Sequence, residues 1–314
     1  TLDPHSFPTR RSSDLLTTIA ILWFGAKRID IGEMQVGDLM AFIQYVMQIM
    51  FSLIMVSMMF VMLPRASASA TRINEVLEMD TEEATYNVSC KNISNADSIE
   101  FKNVYFSYKG SEESILKDIS FKANKGEVTA IIGSTGSGKS TLMELILKFH
   151  EVTSGEILLN GVNVNDIDNK VLRNKIGFVP QKSVLFTGTI MDNIRYGKED
   201  ASFEEVKHAC KIAEASEFIS NMKDGYNSII SQGGTNVSGG QKQRISIARA
   251  LVRKPDVYIF DDSFSALDFK TDAKLRNSLK GETKDSIVII VAQRVSTIMN
   301  ADRIIVLEDR KSVV

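Results

Sequence analysis

The longest apolar block of the chain lies within its first 80 residues. Residues 39–63 form a run of 25 positions without a charged side chain. A helix of that length measures about 37 Å at about 1.5 Å per residue, which is enough to cross a bilayer with some tilt. A buried helix of a soluble protein is the alternative interpretation of such a run. Its length and its lack of charge favour a membrane-spanning helix.

The flanks of this run indicate how it is oriented. An earlier apolar stretch, residues 16–26, is too short to span a membrane and fits the end of a preceding membrane helix. Residues 27–38, between the two stretches, carry two basic and three acidic side chains, whereas Arg65 and Arg72 follow the longer run. The positive-inside rule therefore places Arg65 on the cytoplasmic side.

The pattern changes again after the long run. Residues 66–79 have helical spacing and can continue the helix into the cytosol. Residues 80–97 are polar and lack an apolar period, which is typical of a linker. From Ser98 onward, short β-branched runs alternate with helical patterns, which predicts an α/β domain with a mostly parallel sheet. The predicted strands are residues 128–132, 176–179, 257–260 and 286–291.

A phosphate-binding motif follows the first of these strands. Residues 133–141 read GSTGSGKST and match the P-loop pattern G-x-x-x-x-G-K-[ST], between the strand and a predicted helix, residues 139–149. The glycines allow backbone N–H groups to surround phosphate oxygens, and the start of the helix adds positive potential. Lys139 is expected to reach the β- and γ-phosphates of a nucleotide, and Ser140 to bind Mg²⁺. The predicted nucleotide-binding residues of this loop are Gly133, Ser134, Thr135, Gly136, Ser137, Gly138, Lys139, Ser140 and Thr141.

Two further motifs accompany the P-loop. Residues 257–262 read VYIFDD, which predicts a buried strand that ends in a carboxylate (a Walker B motif), and Asp261 is placed to hold Mg²⁺ through water. Residues 237–241 read VSGGQ. Ser238 and the two glycines after it open a predicted helix, residues 241–252, whose N-terminus can face phosphate.

The VSGGQ segment resembles the signature of ATP-binding cassette (ABC) proteins, which usually reads LSGGQ, and its serine lies 23 residues before Asp261. The resemblance extends over residues 16–308 and is to ABC exporters, in which one chain carries a membrane domain followed by its ATPase domain. It implies an α-helical transmembrane segment plus an α/β P-loop NTPase domain with a helical subdomain. Residues 16–79 correspond to the C-terminal part of the membrane domain, with the end of its fifth helix and its sixth helix at about 39–63. Residues 98–308 correspond to a truncated nucleotide-binding domain.

The resemblance also implies roles for residues outside the P-loop. Tyr108, in FSYKG, matches the aromatic residue that stacks on adenine, with a tyrosine of the core as the alternative. Gln181, in FVPQKS, matches the residue that senses Mg²⁺ and contacts the membrane domain, and residues 185–197 are typical of exporters. Asp268, in SALD, matches the D-loop. In the family two nucleotide domains pair head to tail, and the signature residues that serve the partner's ATP are Ser238, Gly239, Gly240 and Gln241.

Two positions depart from the family pattern. The residue after the Walker B aspartate is normally Glu, the general base that orients the attacking water, and here it is Asp262, whose side chain is one methylene shorter. A displacement of about 1 Å can reduce a rate by about 100-fold. The switch position is normally His, and here it is Gln293, which can donate a hydrogen bond to the γ-phosphate but cannot become cationic. The predicted catalytic residues are Asp262, Gln293 and Gln181, and the predicted Mg²⁺ ligands are Ser140, Gln181 and Asp261.

Together the two changes resemble the degenerate half of heterodimeric ABC exporters, in which one of two composite ATP sites hydrolyses poorly. This implies ATP-driven export of a small, amphipathic or hydrophobic substrate, with ATP and Mg²⁺ as cofactors and a second half-transporter as partner. It also implies a multi-pass location in the cell membrane, with the ATPase domain in the cytoplasm. A homodimer with two slow sites and an ATP-gated, channel-like subunit are the alternatives. The uncharged run and a net charge of -2, which provides no basic surface for nucleic acid, disfavour a soluble ABC ATPase of DNA repair.

The two ends of the chain have an unusual sequence. Residues 5–15 read HSFPTRRSSDL and residues 309–314 read DRKSVV, which resemble two reading frames of a widely used short-read sequencing adapter. Residues 1–15 and 309–314 are therefore interpreted as foreign, and the natural sequence is expected to run from about Leu16 to Glu308. An ordinary polar tail is the alternative.

Overall fold

The computed structural model describes residues 7–79, 95–111, 113–293, 298–308 and 311–313. The chain divides into two compact units at residue 81. Most of the predicted linker, residues 80–97, lies outside the described residues.

Within the described residues, the first unit consists of helices α1 (Phe7–Asp30) and α2 (Val36–Leu77). α2 contains the apolar run and continues through Pro64. By length and composition, it is the one described helix that can cross a membrane. Leu39, its one buried residue among those described, packs against Gly25 of α1, where a Cβ atom would clash with it. Most of the other apolar side chains of α2 are exposed and the rest are half-buried, so the helix needs lipid or further helices around it.

The second unit alternates strands and helices. Its described strands are β1 (Ser98–Phe106), β2 (Leu116–Asn124), β3 (Val128–Gly133), β4 (Ser154–Leu159), β5 (Val162–Asn163), β6 (Ile176–Val179), β7 (Gly188–Thr189), β8 (Ile229–Ile230), β9 (Val257–Asp261), β10 (Ile287–Val291), β11 (Arg303–Glu308) and β12 (Lys311–Val313). Its described α-helices are α3 (Lys139–Ile146), α4 (Asn169–Lys175), α5 (Ile190–Arg195), α6 (Phe203–Ile212), α7 (Ser216–Ser220), α8 (Gly239–Leu251) and α9 (Phe269–Glu282).

Among the described residues, the strands form three sheets. The largest has the order β12-β11-β3-β10-β9-β6, in which all neighbours are parallel except β12, which is antiparallel to β11 at the edge. The second is antiparallel, with the order β2-β1-β4-β5, and β7 pairs with β8. Helices α5 to α8 lie between β6 and β9 in the chain and form the helical subdomain. The predicted α/β fold with a mostly parallel sheet is confirmed.

Both faces of the six-stranded sheet are covered. Along β10, Val288 and Ile290 face an apolar cluster that includes α5 to α8. Ile289 and Val291 face a second cluster that includes β1, β2, β4 and α3. A strand that is buried on both faces needs apolar side chains at every position, which is why β10 reads IVIIV.

Two predicted helices have different ends in the structure. The helix predicted over residues 139–149 is α3, which already ends at Ile146. Lys148 beyond it has a left-handed backbone with φ of 54°, and its Nζ donates to two distant backbone carbonyl oxygens. α8 begins two residues earlier than predicted, at Gly239, because the side chain of Ser238 caps it.

Candidate nucleotide-binding site

The carboxyl ends of four neighbouring parallel strands bring the predicted site residues together. β3, β10, β9 and β6 are adjacent in this order. β3 leads into the P-loop, and β10 leads into the segment that carries Gln293. β9 ends at Asp261, which Asp262 follows, and Gln181 lies two residues beyond the end of β6. Because parallel strands end at the same edge of a sheet, these residues converge at the edge where open α/β sheets bind ligands.

The P-loop, residues 133–141, turns tightly between β3 and α3. Gly136 and Gly138 have φ angles of 82° and 94°, a backbone region that favours glycine. At Gly133 a Cβ atom would lie 2.5 Å from the carbonyl oxygen of Leu307, so a side chain does not fit there. Among the described residues no side chain caps α3. The backbone N–H groups of its first turn are therefore available to an anion.

Lys139 is held inside the loop. Its side chain is buried, and its Nζ donates to the carbonyl oxygens of Gly133 and Ser134 over 2.9 and 2.7 Å. Burial lowers the pKa of its ammonium group from the ordinary value, while the negative charges of Asp261 and Asp262 oppose that shift. The loop thus holds a cation where it can exchange two carbonyl oxygens for phosphate oxygens.

Asp261 supplies a buried carboxylate next to the P-loop. It is 5% exposed, and its Oδ1 has no hydrogen-bond partner among the described residues. Burial raises the pKa of its carboxyl above the ordinary value, and a hydrogen bond from the Ser140 hydroxyl partly offsets this. A hydroxyl and a carboxylate with one unsatisfied oxygen suit a hard cation such as Mg²⁺. The described part of the chain has no group of three or more His, Cys, Asp or Glu side chains that could hold a metal.

Asp262 has an unusual backbone conformation and a fixed carboxylate. Its φ of 45° lies in the left-handed region, which Asp tolerates better than most residues. Its N–H donates to the carbonyl oxygen of Val291 over 2.9 Å, and its own carbonyl oxygen accepts from the Ser265 hydroxyl over 2.8 Å. Nε2 of Gln181 donates to Oδ2 of Asp262 over 3.3 Å. Two of the predicted catalytic residues therefore contact each other directly.

Gln293 lies at the same edge of the sheet, two residues beyond the end of β10, and its side chain is exposed. The residue before it, Ala292, is fixed because its N–H donates to the carbonyl oxygen of Ile131 over 3.1 Å. Gln293 is therefore placed at the same edge of the sheet as the P-loop, and its role in hydrolysis stays a prediction.

Tyr108 lies beyond β1, beside the start of α3. Its hydroxyl is 3.2 Å from Oγ1 of Thr141 and donates to Oε2 of Glu144 over 3.4 Å. Its ring packs edge-on against Phe106 and His150, with centroid distances of 4.9 and 5.2 Å. The residue is 39% exposed, so it is not part of the core, and its ring can pack on a base.

The predicted signature residues lie at a different helix start, that of α8. Oγ of Ser238 accepts from the N–H of Gln241 over 3.3 Å, and Oε1 of Gln241 accepts from the N–H of Ser238 over 2.9 Å, which is a capping box. At Gly240 a Cβ atom would lie 3.3 Å from the carbonyl oxygen of Ala266, so the signature and the D-loop pack closely. Asp268 caps α9, and the hydrogen bond that it accepts from a backbone N–H of that helix lowers the pKa of its carboxyl.

The comparison with known proteins assigns this site to a family. A sequence-family model described as "ABC transporter" matches residues 116–265. The second unit is an ABC transporter ATPase domain. The chain also resembles a solved structure of a bacterial Atm1-family ABC exporter with ATP bound, with a TM-score of 0.79 and 32% identity. That likeness covers 96% of this chain and 52% of the other.

Several curated ABC proteins are similar to the chain. It is 44% identical to the uncharacterized ABC transporter ATP-binding protein YfiB of Bacillus subtilis, over 94% of this chain and 51% of that protein. It is 43% identical to an uncharacterized ABC transporter ATP-binding protein of Mycobacterium tuberculosis, over 95% of this chain and 51% of that protein. It is 39% identical to the alpha-hemolysin translocation ATP-binding protein HlyB of Escherichia coli, over 93% of this chain and 41% of that protein.

The chain spans about half the length of the curated relatives it matches. The predicted resemblance to ABC exporters, the fold and the ABC-type ATPase domain are confirmed, whereas the degenerate ATP site and the heterodimer stay predictions. An apolar helix that can cross a membrane precedes the ATPase domain in the chain, as predicted. The roles of individual site residues and the domain boundaries stay predictions.

The ATPase domain also contains buried polar residues that the motifs do not reveal. Oδ1 of Asn193, a fully buried residue, accepts from the N–H of Phe186 over 2.9 Å and from Nη2 of Arg249 over 3.1 Å. Gln243, also buried, accepts from the hydroxyl of Ser183 over 2.7 Å. These contacts attach helix α8 to the segment that connects β6 with α5. Their signal in the sequence is weak, because an isolated polar residue in a helical pattern does not say which distant residue it contacts.

Proposed function

We propose that this chain binds ATP and Mg²⁺ at its P-loop and forms one half of a dimeric, ATP-driven exporter. The observation that carries the proposal is the buried Asp261 carboxylate beside the Ser140 hydroxyl, because its Oδ1 lacks a hydrogen-bond partner among the described residues. An unsatisfied buried polar atom costs about 1–3 kcal/mol. A cation bound at this oxygen accounts for a group that would otherwise only destabilise the fold.

The residues around the loop have complementary tasks. The backbone N–H groups of the first turn of α3 receive the phosphates, and Lys139 exchanges its two loop carbonyls for β- and γ-phosphate oxygens. Tyr108 stacks on the adenine. Bound Mg²⁺ supplies positive charge against the charge that develops on the phosphates. Ser140, Gln181 and Asp261 are the residues that would hold it.

A second half-transporter completes each ATP site in this proposal. The start of α8, with Ser238 and the two glycines after it, offers backbone N–H groups to the γ-phosphate of an ATP bound by the partner. The capping box between Ser238 and Gln241 fixes the geometry of that helix start. The similarity to ABC exporters, one of them solved with ATP bound, supports this arrangement.

Hydrolysis at this chain's own P-loop is proposed to be slow. The carboxylate in the position of the general base is Asp262, which is shorter than Glu and already accepts a hydrogen bond from Gln181. The shorter side chain reduces its reach toward an attacking water, and the contact with Gln181 occupies one of its two oxygens. Gln293 cannot supply the cationic form of a histidine. A heterodimer whose other site carries most of the turnover accounts for both departures.

The membrane segment supports transport as the use of the ATP. α2 is long and apolar enough to span a bilayer, and Arg65 and Arg72 follow its apolar run, which favours a cytoplasmic location for the ATPase domain. Seven methionines in residues 39–63 provide an adaptable surface, which suits small amphipathic or hydrophobic substrates.

Uphill transport by the complete dimer tests the proposal. Inside-out vesicles that contain the transporter are mixed with amphipathic dyes such as ethidium, and uptake is followed with ATP and Mg²⁺. Accumulation above the outside concentration, lost when ATP is replaced by a non-hydrolysable analogue, is expected of an exporter. ATP-dependent flux that stops at equal concentrations would contradict export and favour an ATP-gated channel.

A further inference from the structure

A buried glutamine joins the signature helix to the loop that carries Gln181. Gln243 lies in α8, two residues after Gln241, and is 3% exposed. Its Oε1 accepts from the hydroxyl of Ser183 over 2.7 Å, and its Nε2 donates to the carbonyl oxygen of Pro180 over 3.5 Å. The amide of Gln243 therefore holds the chain on both sides of Gln181.

The other end of this connection is the ATP site itself. The side chain of Gln181 donates to Oδ2 of Asp262, which follows β9. The connection on which the coupling rests runs from Gln181 through residues 180–183 to Gln243 in α8. The same helix begins at Ser238, whose backbone and side chain are fixed by the capping box.

The contacts make the loop and the helix move together. A buried amide that loses its hydrogen-bond partners destabilises the fold, so separation of residues 180–183 from α8 is unfavourable. Arg249, further along α8, adds a second attachment, since its Nη1 donates to the carbonyl oxygen of Val184 over 3.1 Å and its Nε to that of Asn193 over 2.8 Å. Residues 180–184 are therefore attached to α8 at two points, Gln243 and Arg249.

We propose that Gln243 is a positioning residue that couples the state of Gln181, at this chain's ATP, to the placement of Ser238 against the partner's ATP. The inference rests on the proposed function, because it requires a dimer with shared sites. Gln243 touches no nucleotide. Its loss is expected to change turnover far more than ATP affinity at this chain's P-loop.

Double-mutant cycles on the complete transporter dimer test this coupling. Gln243→Ala, Gln181→Ala and the pair are made in this chain only, and kcat, KM, mant-ATP affinity and the thermal unfolding temperature are measured. We expect Gln243→Ala to lower kcat about tenfold, with mant-ATP affinity within about twofold. The double variant is expected to be no slower than the slower single variant, because both residues act through one connection. Ser183→Ala should reproduce the effect of Gln243→Ala and serves as the test if the latter is poorly folded.

The control is Asn174→Ala, which removes a side-chain hydrogen bond of the same length, 2.7 Å to Arg253, outside this path. Its effect on kcat should multiply with that of Gln181→Ala, as for independent sites. Two results would overturn the coupling and leave the proposed function standing. One is that the effects of Gln181→Ala and Gln243→Ala on kcat multiply. The other is that both Gln243→Ala and Ser183→Ala retain native turnover. A native dimer without ATP turnover would instead overturn the proposed function, and the coupling with it.

Discussion

The side-chain amide of Gln181 lies 3.3 Å from Oδ2 of Asp262 and donates a hydrogen bond to it. The contact joins the end of β6 to the end of β9, two neighbouring strands of the parallel sheet. Asp262 is further held by its N–H, which donates to Val291 at the end of β10. The backbone of Asp262, the residue predicted to stand in place of the general base, is thus held at the end of β10, and one of its carboxylate oxygens accepts from Gln181.

Lys139→Ala should abolish high-affinity binding of ATP and Mg²⁺ to this chain's own site, because it removes the cation on the β- and γ-phosphates. The loss is expected to be about 100-fold or more in Kd, measured by titration with mant-ATP. Lys148→Ala is a matched control, since Lys148 is also buried and also donates to two backbone carbonyls, but outside the P-loop. Equal affinities of the Lys139→Ala and native proteins would refute the assigned role.

Asp261→Asn should stabilise the nucleotide-free protein near neutral pH while it removes the Mg²⁺ dependence of ATP binding. Burial raises the pKa of this carboxyl in the folded state, so its ionisation costs stability above that pKa and costs nothing below the unfolded value of about 4. The variant is expected to gain about 1 kcal/mol in the free energy of unfolding near neutral pH. Urea denaturation at several pH values measures the gain, which should vanish as the pH falls toward about 4. A gain that persists in acid would contradict the assignment to Asp261 ionisation.

Asn193→Ala should lower the free energy of unfolding by about 2–3 kcal/mol, because it removes the partner of the Phe186 backbone groups and of Nη2 of Arg249. Asn221→Ala is the control, since Asn221 is exposed, and its effect should stay within about 0.5 kcal/mol. Urea denaturation of the two variants side by side measures the difference. Similar stabilities would mean that the contacts of Asn193 contribute little.

The sequence was most informative where a local rule determines the structure. β10 is buried on both faces and reads IVIIV, and β6 reads IGFV without a polar side chain, so short runs without polar residues predict both strands to within one residue. The P-loop motif likewise predicts the strand and the helix start around it. The end of α3 could not be predicted, because it depends on contacts of Lys148 with a distant part of the chain.

Contacts between distant residues were equally inaccessible. The antiparallel sheet of β1, β2 and β4 was not predicted. Gln181 and Asp262 are 81 positions apart, and Ser183 and Gln243 are 60 apart. The motifs name Gln181 and Asp262 but do not say that their side chains meet, since this depends on the order of the strands in the sheet. Ser183 and Gln243 belong to no chemical motif that identifies them.

Asp262→Glu combined with Gln293→His should raise hydrolysis at this chain's own P-loop, by about tenfold or more, because a longer base and an imidazole are restored. The measurement is ATP turnover in a dimer whose partner P-loop lysine is replaced by Ala, so that only this site reports. Asp285→Glu, at an exposed position away from the sheet edge, is the control for an added methylene. An unchanged rate in the double variant would show that other residues limit this site.

The most direct test of the account is the steady-state ATPase rate of the reconstituted dimer, with Asp262→Ala or Ser238→Ala made in this chain only. If this chain's own site is nearly silent and its signature serves the partner, Asp262→Ala should cost less than about twofold. Ser238→Ala should lower turnover by about 10–100-fold, because it removes support for the γ-phosphate at the productive site. The contrary result is that Asp262→Ala abolishes activity as completely as removal of the partner's own general base does. It would show that the two sites are equivalent, and would contradict the account.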